Sequence, residues 1–145
     1  MKILITGGCG FLGSNLACHY LLENSDVTII DALYRGGSHE NLNWLKNLNL
    51  KSNLNFVEAD VSDHEEITKV FTKYGPFDYV IHVAGQVAMT KSLKDPTFDF
   101  KTNVVGTFNI LEAMREFSPE SFLAFSSTNK VYGDLEWLKY KETDY

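Results

Sequence analysis

Cysteine is scarce in this sequence, which has only Cys9 and Cys18 among its 145 residues. Two cysteines without Cys-x-x-Cys spacing are too few for the disulfide framework of a small secreted protein, so a reducing cytoplasm is the expected compartment. Histidine is also rare, with four residues, and none has partners at metal-ligand spacing. We therefore expect no metal site, and we interpret His82, inside an apolar run, as a hydrogen-bonded core residue.

Basic residues and long apolar runs are also in short supply. Lysine and arginine number 13 against 19 aspartates and glutamates, a formal net charge of -6. Because nucleic acids and anionic membranes attract basic surfaces, this balance argues against both as partners. No run approaches the ~18 apolar residues of a membrane-spanning helix. With three prolines and no low-complexity linker, residues 1–145 are expected to form one domain.

The most informative stretch is a glycine turn, in which Gly7, Gly10 and Gly13 follow the apolar run Ile3-Leu4-Ile5. A helical pattern begins at Phe11. At such a strand-to-helix turn, glycines allow a sharp bend, close approach of a ligand to the main chain, and close packing of the helix on its strand. The unpaired N–H groups at a helix start suit a pyrophosphate. The spacing indicates a dinucleotide site, although by itself it also fits an ordinary tight turn.

A carboxylate follows at the distance that a dinucleotide site requires. Asp31 ends the apolar run Val27–Ile30 and lies 18 residues after Gly13 (31 minus 13), close to the ~20 expected for the acid that binds the adenosine ribose. A helix cap or turn residue is the alternative interpretation. A carboxylate here repels a 2′-phosphate and so favours NAD over NADP. Arg35 and Lys91 could reach phosphates, but we interpret both as solvated surface residues.

Apolar runs alternate with helical patterns along the whole chain. The predicted strands are 2–6, 27–30, 55–59, 77–83 and 121–126. The predicted helices are 11–23, a short one marked by Leu42, Leu45 and Leu48, 63–74, and a long one over 95–116 with Phe98, Phe100, Phe108 and Leu111 expected in the core. This alternation predicts the α/β class, as a Rossmann-type doubly wound parallel sheet in the order 3-2-1-4-5.

In that strand order, two turns of small residues face each other. The crevice lies between the first and fourth strands, so the turn from Gly7 to Gly13 faces the turn Ala84-Gly85-Gln86. Asp60-Val61, after the third strand, could contact an adenine at the same edge. The hydroxyl run Ser126-Ser127-Thr128 follows the fifth strand there. This agreement favours the dinucleotide hypothesis over an ordinary turn.

With these motifs in place, the chain resembles an extended short-chain dehydrogenase/reductase of the nucleotide-sugar epimerase and dehydratase family. Two stretches, 85–90 and 126–135, are similar to those of the CDP-tyvelose (CDP-paratose) 2-epimerases within it. The resemblance implies a tightly held NAD that takes hydride from a carbon of a nucleotide sugar and returns it to the other face. A 4-epimerase or 4,6-dehydratase is one alternative, and a non-catalytic NAD-binding or sensing module is another.

The resemblance also implies roles for individual residues. Thr128 would be catalytic, hydrogen-bonding the sugar oxygen as charge develops there, unless it only caps the turn after the fifth strand. Ser126 would satisfy backbone groups or touch the nicotinamide side, and Asn103 would support the active-site loops. The remaining cofactor-binding residues implied are Gly7, Gly10, Phe11, Leu12, Gly13, Asp31, Asp60, Val61, Ala84, Gly85 and Gln86.

One departure from the family pattern concerns the general base. The family uses the tyrosine of a Tyr-x-x-x-Lys pair, whose lysine lowers the pKa of the phenol. No tyrosine from Tyr20 to Tyr140 has a lysine four residues later. We therefore expect the chain to be the N-terminal portion of an epimerase, truncated before its substrate domain and inactive by itself. We also expect this chain to bind NAD more weakly than the full-length epimerase would. The uncovered fifth strand is expected to pair with other copies of the chain and give a homo-oligomer.

Overall fold

A single parallel sheet organises the molecule. The computed structural model describes residues 1–48, 50 and 53–128. Within them, five parallel strands pair in the order β3-β2-β1-β4-β5. The strands are β1 Lys2–Thr6, β2 Asp26–Asp31, β3 Leu54–Glu58, β4 Tyr79–His82 and β5 Phe122–Phe125. The predicted α/β class, the parallel sheet and its strand order are confirmed.

Helices connect successive strands. They are α1 Phe11–Leu22, α2 Ser38–Lys46, α3 His64–Tyr74, α4 Met89–Lys94, α5 Pro96–Phe100 and α6 Gly106–Phe117. A π-helical segment, Lys101–Val105, joins α5 to α6, and the residues at both junctions keep helical dihedral angles. The three pieces therefore form the one long helix that the sequence predicts over 95–116. None of the described helices has the length and apolar character needed to cross a membrane.

Two apolar layers, one on each face of the sheet, form the core. Leu4 points into the layer that contains Phe71 of α3 and Ile110 of α6. Its neighbour Ile5 points to the opposite layer, against Leu21 of α1. Full burial of a side chain of this size stabilises the fold by roughly 1.5–3 kcal/mol. Because helices cover both faces, the central strands are continuous apolar runs in the sequence, which is why they could be predicted.

Helix α4 was not predicted from the sequence. It has six residues, none of them buried, and its two large apolar side chains, Met89 and Leu93, are exposed. Hydrophobic periodicity reveals a helix only where one face is buried against the core. A helix without a buried face therefore has no such pattern to detect.

The apolar stripe expected in the core along the long helix is mostly on the surface. Phe100, Phe108 and Leu111 are 57%, 60% and 44% exposed, so that prediction is wrong for these three residues. Phe98 is half-buried, and its ring centroid lies 6.0 Å from that of Tyr34. Helical spacing shows that apolar residues share a face, but only the packing of neighbouring elements decides whether that face is covered.

Candidate functional site

A groove of about 890 Å³, including space open to solvent, lies at the carboxyl edge of the sheet. It lies where the strand order reverses between β1 and β4, as predicted for a dinucleotide crevice. Among the residues that line it are eight of the predicted cofactor-binding residues, namely Gly7, Gly10, Asp31, Asp60, Val61, Ala84, Gly85 and Gln86.

The first wall of the groove is the glycine turn after β1. Gly7 has φ +68°, and a Cβ atom built on it would lie 2.9 Å from the backbone of Ala84. The two turns are therefore in direct contact. A Cβ atom on Gly13 would lie 2.2 Å from the carbonyl oxygen of Gly7, so α1 can pack on the turn only without a side chain there. Glycine at these two positions is thus required by geometry.

Hydrogen bonds fix the glycine turn to the end of β2. The N–H group of Gly7 donates to the carbonyl of Ile30 at 2.7 Å. The N–H group of Cys9 donates to Oδ2 of Asp31 at 2.9 Å. Burial, and then the Asp31 carboxylate, raise the pKa of the Cys9 thiol to about 12. The thiol therefore stays protonated at neutral pH and is unsuited to act as a nucleophile.

The start of α1 presents amide groups without a capping side chain. Gly10 is the residue before the helix, and no side chain accepts a hydrogen bond from the first turn. The N–H groups of the first helical residues, here Phe11 to Gly13, have no acceptor within an α-helix. Phe11, Leu12 and Gly13 are not among the residues that line the groove, so this part of the helix start would face a ligand only through its amides. Amides and the positive end of the helix dipole together suit an anion.

Asp31 stands in the groove wall with each carboxylate oxygen already in one hydrogen bond. Oδ2 accepts from Cys9, and Oδ1 accepts from the N–H group of Leu33 at 2.8 Å. Each oxygen keeps a second lone pair, so the group can still accept hydrogen bonds from a diol. The helix-cap alternative does not apply, because Gly37 precedes α2. Asp31 thus ends β2, accepts a hydrogen bond from the turn that follows it, and lines the groove.

The segment after β2 reaches across the groove. The hydroxyl of Tyr34 donates to Oδ2 of Asp60 at 3.1 Å, and Nη2 of Arg35 donates to the carbonyl of Gly85 at 3.2 Å. Tyr34 was not predicted as a site residue, and Arg35 and Lys91 were interpreted as solvated surface residues. All three line the groove. For Tyr34 and Arg35, the available signal was their position directly after Asp31, in the loop at the carboxyl end of a strand.

The second wall of the groove is the turn Ala84-Gly85-Gln86, which Asn103 holds from behind. The N–H group of Gln86 donates to Oδ1 of Asn103 at 2.8 Å, and Nδ2 of Asn103 donates to the carbonyl of Gln86 at 3.1 Å. Asn103 lies in the π-helical segment, a type of distortion that is frequent at functional sites. It supports the turn and is not among the residues that line the groove.

His82, at the end of β4, is buried behind the same turn. Its Nδ1 atom lies 2.6 Å from Oγ1 of Thr6, and its Nε2 atom lies 3.0 Å from Oγ1 of Thr107. Burial lowers the pKa of His82 to about 4, so the ring is neutral at physiological pH. The interpretation of His82 as a hydrogen-bonded core residue agrees with these contacts.

Acidification is expected to destabilise the fold through His82. The pKa falls from 6.5 to about 4 on folding, so the stabilisation is complete above about pH 6.5 and is lost as the pH falls towards 4. The shift corresponds to about 3 kcal/mol of unfolding free energy. Urea unfolding near pH 7 and near pH 4 measures this loss in wild type and in His82→Gln, which cannot titrate. Equal pH dependence in both proteins would contradict the prediction.

Comparison with known proteins identifies the family. The sequence matches the family model described as GDP-mannose 4,6 dehydratase over residues 4–145. The chain belongs to this family. It is 51% identical over 144 residues to the CDP-paratose 2-epimerase of Salmonella typhi, an alignment that covers 99% of this chain and 41% of the relative. It is 38% identical to the dTDP-glucose 4,6-dehydratase of Salmonella typhimurium, which covers 93% of this chain and 39% of that relative.

Solved structures of similar fold also match this chain. The UDP-glucose 4-epimerase from Bifidobacterium longum, in complex with NAD+ and UDP, has a TM-score of 0.81 and 28% identity, and covers 92% of this chain and 38% of its own. The chain thus spans about two fifths of the length of the relatives it matches. The predicted nucleotide-sugar epimerase and dehydratase family and its Rossmann-type fold are confirmed.

The hydroxyl run of this family member begins at the sheet edge but outside the groove wall. The N–H group of Ser126 donates to the carbonyl of His82 at 3.1 Å, and its hydroxyl lies 3.4 Å from the same oxygen. Thr128 is exposed. Neither residue lines the groove, and the catalytic role of Thr128 stays a prediction. The stretch from residue 129 onward, with Lys130, lies outside the described residues.

Proposed function

We propose that the groove binds NAD, with the adenosine ribose on Asp31 and the pyrophosphate at the start of α1. The observation that carries this proposal is the joining of two site elements by one hydrogen bond. The carboxylate of Asp31 accepts from the amide of Cys9, in the middle of the glycine turn. This hydrogen bond fixes the distance between the carboxylate that would bind the ribose and the glycine turn that would bind the pyrophosphate. The NAD+ named in the complex of the Bifidobacterium longum epimerase supports the choice of ligand.

The remaining groove residues fit the other parts of that ligand. Asp60 and Val61 follow β3 and would contact the adenine, while the small residues Ala84 and Gly85 would let the backbone lie along the central ribose and pyrophosphate. Since the protein is acidic overall, main-chain amides of α1 would supply most of the phosphate contacts. Arg35 and Lys91 line the groove and would add charge-assisted contacts.

NAD is expected to bind at least tenfold more tightly than NADP. The carboxylate of Asp31 accepts from the ribose 2′-hydroxyl but repels a 2′-phosphate, and tenfold corresponds to only about 1.4 kcal/mol. Isothermal titration calorimetry of the two cofactors at one ionic strength measures the ratio. NADP binding as tightly as NAD would contradict the assignment of Asp31.

For the whole protein, we infer epimerisation of a CDP-linked sugar at C2. The 51% identity to a CDP-paratose 2-epimerase supports this substrate class over the alternatives. Bound NAD would supply reversible hydride transfer. Thr128 would hydrogen-bond the sugar oxygen that loses its proton, stabilising the charge that develops there.

An assay of the full-length protein tests this activity. CDP-linked sugars are supplied, and the configuration at C2 is followed by NMR. Inversion at C2 is the expected result, whereas inversion at C4 or loss of water would favour a 4-epimerase or a 4,6-dehydratase. For a dehydratase, the sequence lacks an acidic pair after Thr128, where Asn129 and Lys130 stand. NAD binding without any sugar chemistry would favour a non-catalytic NAD-binding or sensing module.

Self-association of the 145-residue chain through β5 is also proposed. Phe122, Leu123 and Phe125 of this edge strand are exposed. Exposed apolar edge strands tend to pair with other chains. Sedimentation velocity should show oligomers that decrease in Phe122→Ser but not in Leu22→Ser, which removes a similarly exposed apolar side chain from α1. A strictly monomeric wild type at high concentration would contradict this proposal.

A further inference from the structure

We propose that His82 is a positioning residue for the cofactor groove, holding both groove walls together as the neutral Nε2–H tautomer. The inference rests on the proposed NAD binding, because it assigns a role in that same site. His82 does not line the groove itself. Its contacts reach the groove through the hydroxyls of Thr6 and Thr107, one on each side of the imidazole ring.

The tautomer follows from the hydrogen bonds of Thr107. Its hydroxyl donates its single proton to the carbonyl of Asn103 at 2.7 Å. Towards His82, 3.0 Å away, the same oxygen can therefore only accept. The proton of the imidazole must be on Nε2, which leaves Nδ1 as an acceptor.

On the other side of the ring, the hydroxyl of Thr6 continues the series of hydrogen bonds in the same direction. Its hydroxyl donates to Nδ1 of His82 at 2.6 Å and accepts from the N–H group of Ala84 at 3.2 Å. Thr6 is the last residue of β1, directly before Gly7, and Ala84 begins the second turn. The imidazole thus fixes the hydroxyl that joins the two walls of the groove.

The Thr107 side ends on the same turn. Asn103, whose carbonyl accepts from Thr107, binds both the N–H and the carbonyl group of Gln86 through its side chain. A path of hydrogen bonds therefore runs from Ala84 through His82 to the carbonyl of Asn103, and the Asn103 side chain then binds Gln86, so the second turn is held at both ends. From the N–H group of Ala84 to the carbonyl of Asn103, every hydrogen bond donates in the same direction, which requires an acceptor at Nδ1 and therefore a neutral ring.

The surroundings of His82 favour that neutral ring. Among the described residues, the side chains with a hydrogen bond or ring contact to the imidazole are Thr6 from β1, Thr107 from α6 and Phe125 from β5, whose ring centroid lies 5.7 Å from that of the imidazole. None of these three groups titrates or carries charge. The path of hydrogen bonds reaches a carboxylate only at Asp99, through Nδ2 of Asn103. Protonation would put a charge in this buried site and leave the Thr6 hydroxyl proton without its acceptor.

Three substitutions at His82 distinguish the hydrogen bond to Thr6 from the hydrogen bond to Thr107. His82→Asn places an amide oxygen near the Nδ1 position and can accept from Thr6, whereas His82→Gln places an amide nitrogen near Nε2 and can donate to Thr107. Each should weaken NAD binding by about fivefold, the cost of one hydrogen bond. His82→Leu removes both hydrogen bonds and should weaken NAD binding by about thirtyfold. Calorimetric titration with NAD near pH 7 measures all three.

A matched control distinguishes positioning from a general loss of stability. Val80 lies two residues earlier in β4 on the same face of the sheet and is fully buried in the α3 and α6 layer, where its apolar side chain makes no hydrogen bond to either turn. Val80→Ala should lower the melting temperature as the His82 variants do, but leave NAD affinity within about twofold of wild type. Wild-type NAD affinity in His82→Leu, or an equal loss of affinity in Val80→Ala, would overturn the inference.

NMR tests the tautomer without relying on the cofactor. The ¹⁵N shifts of labelled histidine should identify His82 as the Nε2–H form, and amide exchange at Ala84 and Gln86 should accelerate in His82→Leu but not in Val80→Ala. An Nδ1–H ring, or unchanged exchange, would overturn the inference even if NAD binds. Wild type that shows the expected ring and exchange but no NAD binding would instead refute the proposed function.

Discussion

Gly13→Ala is expected to abolish measurable NAD binding and to lower the free energy of unfolding by about 3 kcal/mol or more. The new Cβ atom would lie 2.2 Å from the carbonyl oxygen of Gly7 and 2.8 Å from Cα of Gly8. These are backbone atoms, which cannot rotate away as a side chain does. Either α1 moves from β1 or the turn opens, and both movements displace the amides proposed to hold the pyrophosphate.

Gly36→Ala provides the matched control for that substitution. A Cβ atom on Gly36 would meet no heavy atom within 4 Å, and its φ does not lie in the left-handed region. The replacement should leave NAD binding unchanged and stability equal or slightly higher, since alanine reduces the freedom of the unfolded chain. Urea unfolding and calorimetry of both variants test the pair. A Gly13→Ala protein with wild-type stability and affinity would contradict the packing described for α1.

Asp31→Asn is expected to weaken NAD binding by about ten- to a hundredfold. Hydrogen bonds to a charged group contribute roughly 1.5–3 kcal/mol, and the amide also keeps only one oxygen for the two N–H groups of Cys9 and Leu33. The loss therefore combines a weaker ribose contact with a displaced glycine turn. Discrimination against NADP should decrease in the same variant, because the charge that repels a 2′-phosphate is gone.

Asp26→Asn is the control for charge removal. Asp26 begins the same strand that Asp31 ends, so it lies at the opposite edge of the sheet, where it is exposed and accepts from Nδ2 of Asn53. Its replacement changes the net charge equally but should change NAD affinity by less than about twofold. Equal losses in the two variants would show that the ribose is not bound at Asp31. Titrations with NAD and NADP provide both measurements.

Most of the fold could be predicted because the evidence for it is local. Each buried strand is a short apolar run, and each helix with a buried face repeats its apolar residues at helical spacing, as in α3. Right-handed crossovers then leave few possible strand orders. Helix α4 could not be predicted in this way because none of its residues is buried. Phe100, Phe108 and Leu111 were wrongly placed in the core because helical spacing does not reveal whether a neighbouring element covers the face that they share.

The candidate site could likewise be predicted only in part. The glycine turn, Asp31 and the turn at Ala84 could be identified, since each is a short motif with a fixed place relative to a strand end. Tyr34 and Arg35 were not identified as groove residues, because a loop's course depends on contacts with distant partners. Arg35 bonds Gly85, 50 residues away. No spacing rule within a sequence indicates such a contact.

The parallel sheet, the strand order and the two turns that form the groove could all be predicted from the order of the residues. These follow from the chemistry of residues close together in the chain, namely glycine freedom, apolar runs and a carboxylate after a strand. The hydrogen bond between Thr6 and His82, 76 residues apart, could be seen only in the folded molecule. A side chain's partners, and with them its protonation state, depend on which strands and helices meet around it.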